Sequence, residues 1–225
     1  EVVFGDWSSD VCSSDLAVSP RMGVSSIRRP AIFAAIASWA AAVAWAGASD
    51  HPAGGLDATR NQAEVEAGPA FHSRPFTIEC VARMNRFDAY NIILACEPKS
   101  SPHHWELYTH AQSGHLAFYV PGNGVKDVRS SRRLDDGQWH RLAVIMDGRD
   151  IRLCCDGKEV ARAPDTRPQV ERDHRGRMVV GALCEGGLGC NGTIGEVRLS
   201  RVAREIAADP PFRLEVDDAT LALWR

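Results

Sequence analysis

The chain has 225 residues, of which 44% are hydrophobic, 24% charged and 7% aromatic, with a formal net charge of -3. These values exclude a disordered, a collagen-like and a polytopic membrane chain. They also argue against a nucleic-acid partner, because phosphate neutralisation needs a surplus of cationic side chains and here 26 basic residues meet 29 acidic ones.

Residues 1–21 contain a Ser/Asp-rich stretch around Cys12 with neither helical nor strand periodicity, and read as a non-native leader similar to translated adapter sequence. From Met22 the pattern is that of a secretory signal: Arg28 and Arg29 precede an apolar run from Ala31 to Ala46, and small residues follow that match an A-x-A cleavage site. The run is short of the roughly 20 apolar residues that a spanning helix needs, so no permanent membrane span is expected. Residues 22–48 are read as the signal peptide, with a mature protein beginning near Gly47 or Ser49 that is secreted, periplasmic or cell-surface and bacterial in character. Residues 49–69, rich in Gly, Pro and Ala, read as a linker with one short turn of helix or strand around 63–67.

Beyond the linker the hydrophobic period is two. Phe76, Ile78, Cys80, Ala82 and Met84 alternate with Thr77, Glu79, Val81 and Arg83, the pattern of a half-buried strand. Further strands are expected over 90–96, 105–110, 115–120, 141–146, 150–155, 159–163, 177–183, 193–201 and 220–224, and only 202–208 looks helical. Asp147-Gly148 and Asp156-Gly157 suit tight hairpins, because glycine and aspartate tolerate positive φ. Many short strands without crossover helices predict an all-β, two-sheet antiparallel sandwich over residues 70–225.

The motifs along this region carry a family resemblance. Pro75-Phe76-Thr77-Ile78-Glu79-Cys80, Asp136-Gly137-Gln138-Trp139-His140-Arg141-Leu142-Ala143-Val144, the hairpin containing Asp156-Gly157-Lys158, and Gly192-Thr193-Ile194-Gly195-Glu196-Val197-Arg198-Leu199-Ser200 occur in that order. Together they resemble the laminin-G-like, concanavalin A-like jelly-roll domains. That resemblance implies a jelly-roll sandwich, a fold that hosts lectins, adhesion modules and glycosidases alike. Gly195 stands where the family usually has aspartate. The departure weakens the expectation of calcium, which the resemblance leaves open; no other cofactor is expected.

Six cysteines follow the leader, Cys80, Cys96, Cys154, Cys155, Cys184 and Cys190. An exported protein can oxidise them, and six allow 15 connectivities. Cys184 and Cys190 bracket a glycine-rich loop and form the first candidate disulfide. No zinc-ligand spacing is present, so no metal site is expected.

Chemistry concentrates in residues 103–120. A hairpin turning through 111–114 pairs His110 with His115, Tyr108 with Ala117 and Glu106 with Tyr119. Alternation then sends Trp105, Leu107, Leu116, Phe118 and Val120 to the core, and His104, Glu106, Tyr108, His110, His115 and Tyr119 to the other face. Those six are the candidate ligand-binding residues: flat rings to stack on sugars, with donors and acceptors for hydroxyls. The plainer reading of such a face is a solvated polar surface whose rings support one another.

No catalytic residues are identified. Glycosidases need two carboxyl groups at a defined separation, whereas Glu79, Glu106 and Glu196 are isolated acids on strands. Arg129, Arg132 and Arg133 read as a solvated basic loop. The expectation is a secreted, non-catalytic module for carbohydrate or an extracellular protein surface. A glycan-processing enzyme on the same sandwich and a structural accessory domain of a longer protein are the alternatives.

Overall fold

The computed structural model describes residues 55–168, 175–210 and 212–225. The leader, the signal segment and residues 49–54 of the linker lie outside them. Among the described residues, thirteen strands and one 3-10 turn, Pro69–Phe71, make up the regular structure. In chain order the strands are β1 Leu56–Asp57, β2 Ala63–Ala67, β3 Phe76–Met84, β4 Asn91–Cys96, β5 Trp105–Thr109, β6 His115–Tyr119 and β7 Asp127–Arg133. They continue with β8 Trp139–Met146, β9 Asp150–Cys155, β10 Lys158–Pro164, β11 Gly176–Val180, β12 Gly192–Ser200 and β13 Thr220–Trp224.

Two antiparallel sheets result. One runs β1-β12-β3-β8-β9-β10 with β13 also on β12, and the other runs β2-β11-β4-β5-β6-β7. A single apolar cluster joins them, with Phe76, Ile78, Leu142, Val144, Leu153, Ile194 and Leu199 from the first sheet facing Leu94, Trp105, Leu107, Leu116, Phe118 and Met178 from the second. Each of these residues lies on the inward parity of its strand, which is why period-two alternation located the core.

Three sequence expectations change. The stretch read as linker supplies β1, paired with β12 through Leu56 and Ile194, while the short turn of helix or strand expected around 63–67 is strand β2, paired along its whole length with β11. Short, glycine-flanked edge strands carry little periodicity of their own and take their conformation from the neighbour. The basic loop is β7, because Asp127, Val128, Arg129 and Ser130 alternate between intermediate or exposed and buried positions and pair with β6.

Residues 202–208 are not helical. Their backbone is claimed by β3: the Thr77 hydroxyl donates to the Val202 carbonyl at 2.7 Å and accepts from the Arg204 amide at 3.0 Å. Ala203 and Ile206 meanwhile pack on Ala143, Ile145 and Cys154, on the outer face of the first sheet.

That covering segment explains a further departure. β3 was expected to be half-buried, yet Thr77 and Glu79 on its polar side are fully enclosed. Glu79 is held by Arg141 at 2.7 Å and Arg198 at 2.6 Å, with the Arg204 Nε 3.5 Å away. A carboxylate can be buried this deeply only when charge and hydrogen bonds replace its water.

Candidate functional site

The pairing of β5 with β6 is the one expected from the sequence. Glu106 lies opposite Tyr119 and Tyr108 opposite Ala117, and the His110 amide donates to the His115 carbonyl at 2.9 Å. The turn closes tightly because Gln112 and Gly114 adopt positive φ, 62° and 65°. Gly114 is required there, since a Cβ would sit 2.1 Å from the Asp135 carboxylate.

Following the register outward gives two rows across the second sheet. Ile92, Tyr108, Ala117 and Arg129 form one; Ala95, Glu106, Tyr119 and Asp127 form the other. Strands about 4.8 Å apart thus place side chains of one row side by side on one face. Over part of that face folds the loop after β11, with Ala182, Leu183, Cys184 and Leu188 packed against Ile92, Ala95, Tyr108 and Ala117.

A cavity of about 290 Å³ remains between loop and sheet, lined by Tyr90, Ile92, Lys99, Glu106, Tyr108, His110, Tyr119, Asp127, Arg129 and Leu188. Of the six residues singled out from sequence, Glu106, Tyr108, His110 and Tyr119 line it. His104 stands directly behind, its Nε2 3.7 Å from the Glu106 carboxylate and its ring 5.8 Å from that of Tyr119. His115 does not line the cavity.

The face is far less solvated than alternation alone suggested. His104, Glu106 and Tyr108 are all buried, while His110, His115 and Tyr119 are half-buried. Sequence reasoning could not see the covering loop, and it missed Tyr90, Lys99, Asp127 and Arg129. Tyr90 left a faint signal as an aromatic just ahead of an apolar strand; Asp127 and Arg129 would have followed from reading β7 as a strand.

The polar groups divide into satisfied and open ones. The Tyr108 hydroxyl donates to Asp127 Oδ1 at 2.6 Å, and Arg129 binds the other oxygen of the same carboxylate. Burial, together with the Asp127 hydrogen bond, holds the Tyr108 phenol far above its ordinary pKa, so it stays a donor. The ring of Tyr90 leans on Tyr108 at 5.7 Å and meets His110 edge-on at 5.1 Å. Lys99 Nζ lies 3.5 Å from Glu106 Oε1. Glu106 Oε2 and His104 Nε2, both buried, have no hydrogen-bond partner.

Other expectations resolve as follows. The Cys184–Cys190 bridge is not formed, and all six described cysteines are free and buried. Cys184 lies on the outer face and donates to the Ala95 carbonyl at 3.4 Å, whereas Cys190 lies in the core against the Met84 sulfur at 3.5 Å. The loop that seemed to bring them together sends them to opposite sides of the sheet.

Arg129 and Arg133 of the basic cluster are paired with Asp127 and Asp135. Among the described residues, two donor sets have atoms close enough to hold a metal, His72 with Cys96 and Glu97, and His140 with Cys155 and Asp156. Each combines residues from separated parts of the chain, which no spacing rule detects. His140 is already engaged at both nitrogens, by Asp156 at 2.8 Å and Asp136 at 3.1 Å.

Two antiparallel sheets enclosing one core define a two-layer β-sandwich protein. The chain belongs to the concanavalin A-like lectin/glucanases superfamily, whose laminin-G-type profile matches residues 57–207. Over 47 residues it is 43% identical to neurexin 1 of Drosophila melanogaster, covering 20% of this chain and 3% of that protein. Among solved structures, domains LG4-5 of the mouse laminin alpha1 chain superpose with a TM-score of 0.51 at 17% identity, over 78% of this chain and 50% of theirs. A Bacteroides ovatus protein described as a candidate for carbohydrate binding superposes with a TM-score of 0.50 at 19% identity, over 64% of this chain and 42% of its own. The chain therefore spans half or less of each of these proteins, and at such identities the structural likeness concerns the fold.

Proposed function

We propose that the protein is a secreted, non-catalytic binding module that holds carbohydrate in the cavity over β4–β7. The observation that carries this reading is the lining: Tyr90, Tyr108, Tyr119 and His110 surround a cavity whose floor includes the buried Glu106. Aromatic rings supply the apolar faces on which pyranose rings lie, and polar groups between them fix orientation. The family membership and the likeness to a protein described in carbohydrate-binding terms support it. No helix among the described residues is long and apolar enough to cross a membrane.

A glycosidase reading has one observation in its favour, since Glu106 and Asp127 both line the cavity, flanking Tyr119 in the same row. Both Asp127 oxygens are engaged, however, by Tyr108 and by Arg129. One open carboxylate remains where hydrolysis needs two.

The test is retention of the chain on a panel of insoluble polysaccharides and immobilised oligosaccharides. Tyr90→Ala and Tyr119→Ala remove rings from the cavity wall, and each should weaken retention at least fivefold while the chain still unfolds cooperatively, Tyr119→Ala at a lowered midpoint because its ring also packs on the cluster beneath the covering loop. Tyr108→Phe is the suitable change at the third ring, because Tyr108 is buried and truncation to alanine would open a cavity in the packing. Unaltered retention in both alanine variants would refute the assignment, and release of reducing ends from a retained polymer would favour the enzyme.

A further inference from the structure

The end of β4 brings three metal-ligating side chains of different chemistry to one point. His72, Cys96 and Glu97 each place one donor atom within 4.8 Å of the other two, and all three residues are buried. The His72 Nε2 and the Cys96 Sγ stand 3.9 Å apart. Imidazole and thiolate on one tetrahedral zinc ion stand roughly 3.5 Å apart, given bonds of about 2.0 and 2.3 Å, so a shift of a few tenths of an ångström admits the ion.

The surroundings hold the set in place. The Phe71 carbonyl, in the 3-10 turn just before His72, accepts from the Trp105 indole at 3.3 Å. Cys96 is fixed in the sheet between Trp105 and Met178. Glu97 is tied three ways: its amide donates to the Arg177 carbonyl at 2.9 Å, its carbonyl lies 2.7 Å from His104 Nδ1, and its Oε1 accepts from the Arg177 amide at 2.9 Å. A carboxylate keeps further lone pairs for an ion. Ligands oriented by partners of their own lose little freedom when the ion arrives.

Access and charge agree with this. His72 lines a second cavity, of about 650 Å³, with His103, Lys99 and Arg167 also on its wall. Those two cations are already paired, Lys99 with Glu106 at 3.5 Å and Arg167 with Asp165 at 3.2 Å, so they do not bar a dication. Cys96 and Glu97 stand behind His72, and full enclosure by the ligands is the ordinary state of a structural zinc ion. One thiolate and one carboxylate cancel the charge of the ion and a neutral imidazole adds none, so the loaded site carries no net charge into the interior.

We infer that His72, Cys96 and Glu97 form a binding site for a zinc ion, with His103, whose ring lies 5.4 Å from that of His72, completing it from the cavity side. On binding, the Cys96 thiol releases its proton to solvent, and sulfur, imidazole nitrogen and carboxylate oxygen each bond to the ion without any change of oxidation state. A thiolate and imidazoles select a borderline ion over calcium or magnesium, which take oxygen ligands. The loaded site ties the turn ahead of β3 to the end of β4, and it is independent of the carbohydrate reading.

The experiment uses the whole chain, stripped with EDTA under a non-thiol reductant and then titrated with Zn2+, Co2+ or Ca2+. The expected result is one zinc ion retained per chain after gel filtration, a thiolate-to-cobalt charge-transfer band with Co2+, and no response to Ca2+. Cys96→Ala should abolish that band, and His72→Gln should weaken zinc affinity at least tenfold. His72 lies outside the strands, so His72→Gln keeps the test valid even where Cys96→Ala impairs folding. Cys155→Ser, in the other donor set, should leave both readouts unchanged.

A wild-type chain that retains no zinc would overturn this inference. So would a cobalt band that survives Cys96→Ala, or zinc affinity that is unchanged in His72→Gln. Loss of the band in Cys155→Ser with its survival in Cys96→Ala would place the ion at the other set and overturn it as well.

Discussion

Glu79 is the residue at which a catalytic and a structural interpretation of the strand acids diverge most clearly, and Glu79→Gln separates them. The carboxylate accepts from Arg141 at 2.7 Å and from Arg198 at 2.6 Å, and the Arg204 Nε lies 3.5 Å away, all beneath the segment that follows β12. Glutamine keeps the shape but removes the charge, sets an NH2 group against a guanidinium and leaves buried cations without their counter-ion. A charge-assisted hydrogen bond contributes about 1.5–3 kcal/mol. Breaking a buried ion pair from one side costs about 3–5 kcal/mol, mostly through the charge left behind.

The loss should therefore be about 3–5 kcal/mol. At roughly 2–4 °C per kcal/mol for a domain of this size, the midpoint falls by about 6–20 °C. Urea and calorimetric unfolding of both proteins measure this, and glycan retention well below the midpoint should be unaffected because Glu79 belongs to the opposite sheet. A destabilisation below about 1 kcal/mol would refute the reasoning, since it would mean that the cluster is solvated or neutral.

Two other outcomes are expected. The side chain of Asp165 is enclosed, which opposes ionisation, yet hydrogen bonds and charge from Arg167 and Arg74 hold its carboxyl below the usual range. A folded pKa depressed in this way adds stability above the ordinary carboxylate pKa of about 3.9 and loses it as the pH falls through the folded value. Asp165→Asn should thus be less stable than wild type at pH 7, the gap closing below about pH 4. A urea-midpoint gap that stayed constant from pH 7 to pH 3 would contradict this. Burial pushes the thiols up, to about 11 in Cys184 and about 12 in Cys190 and Cys155. At pH 8 a disulfide reagent should find these native thiols inert, and unfolding should release all six described cysteines. Release of only four would show that Cys184 and Cys190 are bonded after all.

The β5–β6 hairpin shows how much of the site was legible beforehand. Its register follows from a short turn and strict alternation, both encoded within neighbouring residues, so Glu106 opposite Tyr119 and Tyr108 opposite Ala117 could be read directly. The same logic located the inner face of β3, and the ordered motifs pointed to the family. Residues 202–208 show the limit: seven residues with helical spacing gave way to the backbone bonds that Thr77 offers from more than a hundred positions away.

Local pattern thus determined that the chain builds strands, which side of each strand is apolar, and which hairpin gathers the rings. Only the tertiary structure decided which polar side chains lose their water. The loop after β11 folds onto the second sheet, β7 brings Asp127 and Arg129 alongside, and the segment after β12 buries Glu79 beneath it. These are contacts between residues far apart in the chain, and burial, hydrogen-bond satisfaction and pairing of charge are properties of the assembled neighbourhood. The unpartnered acceptors of His104 and Glu106 exist only because of that assembly.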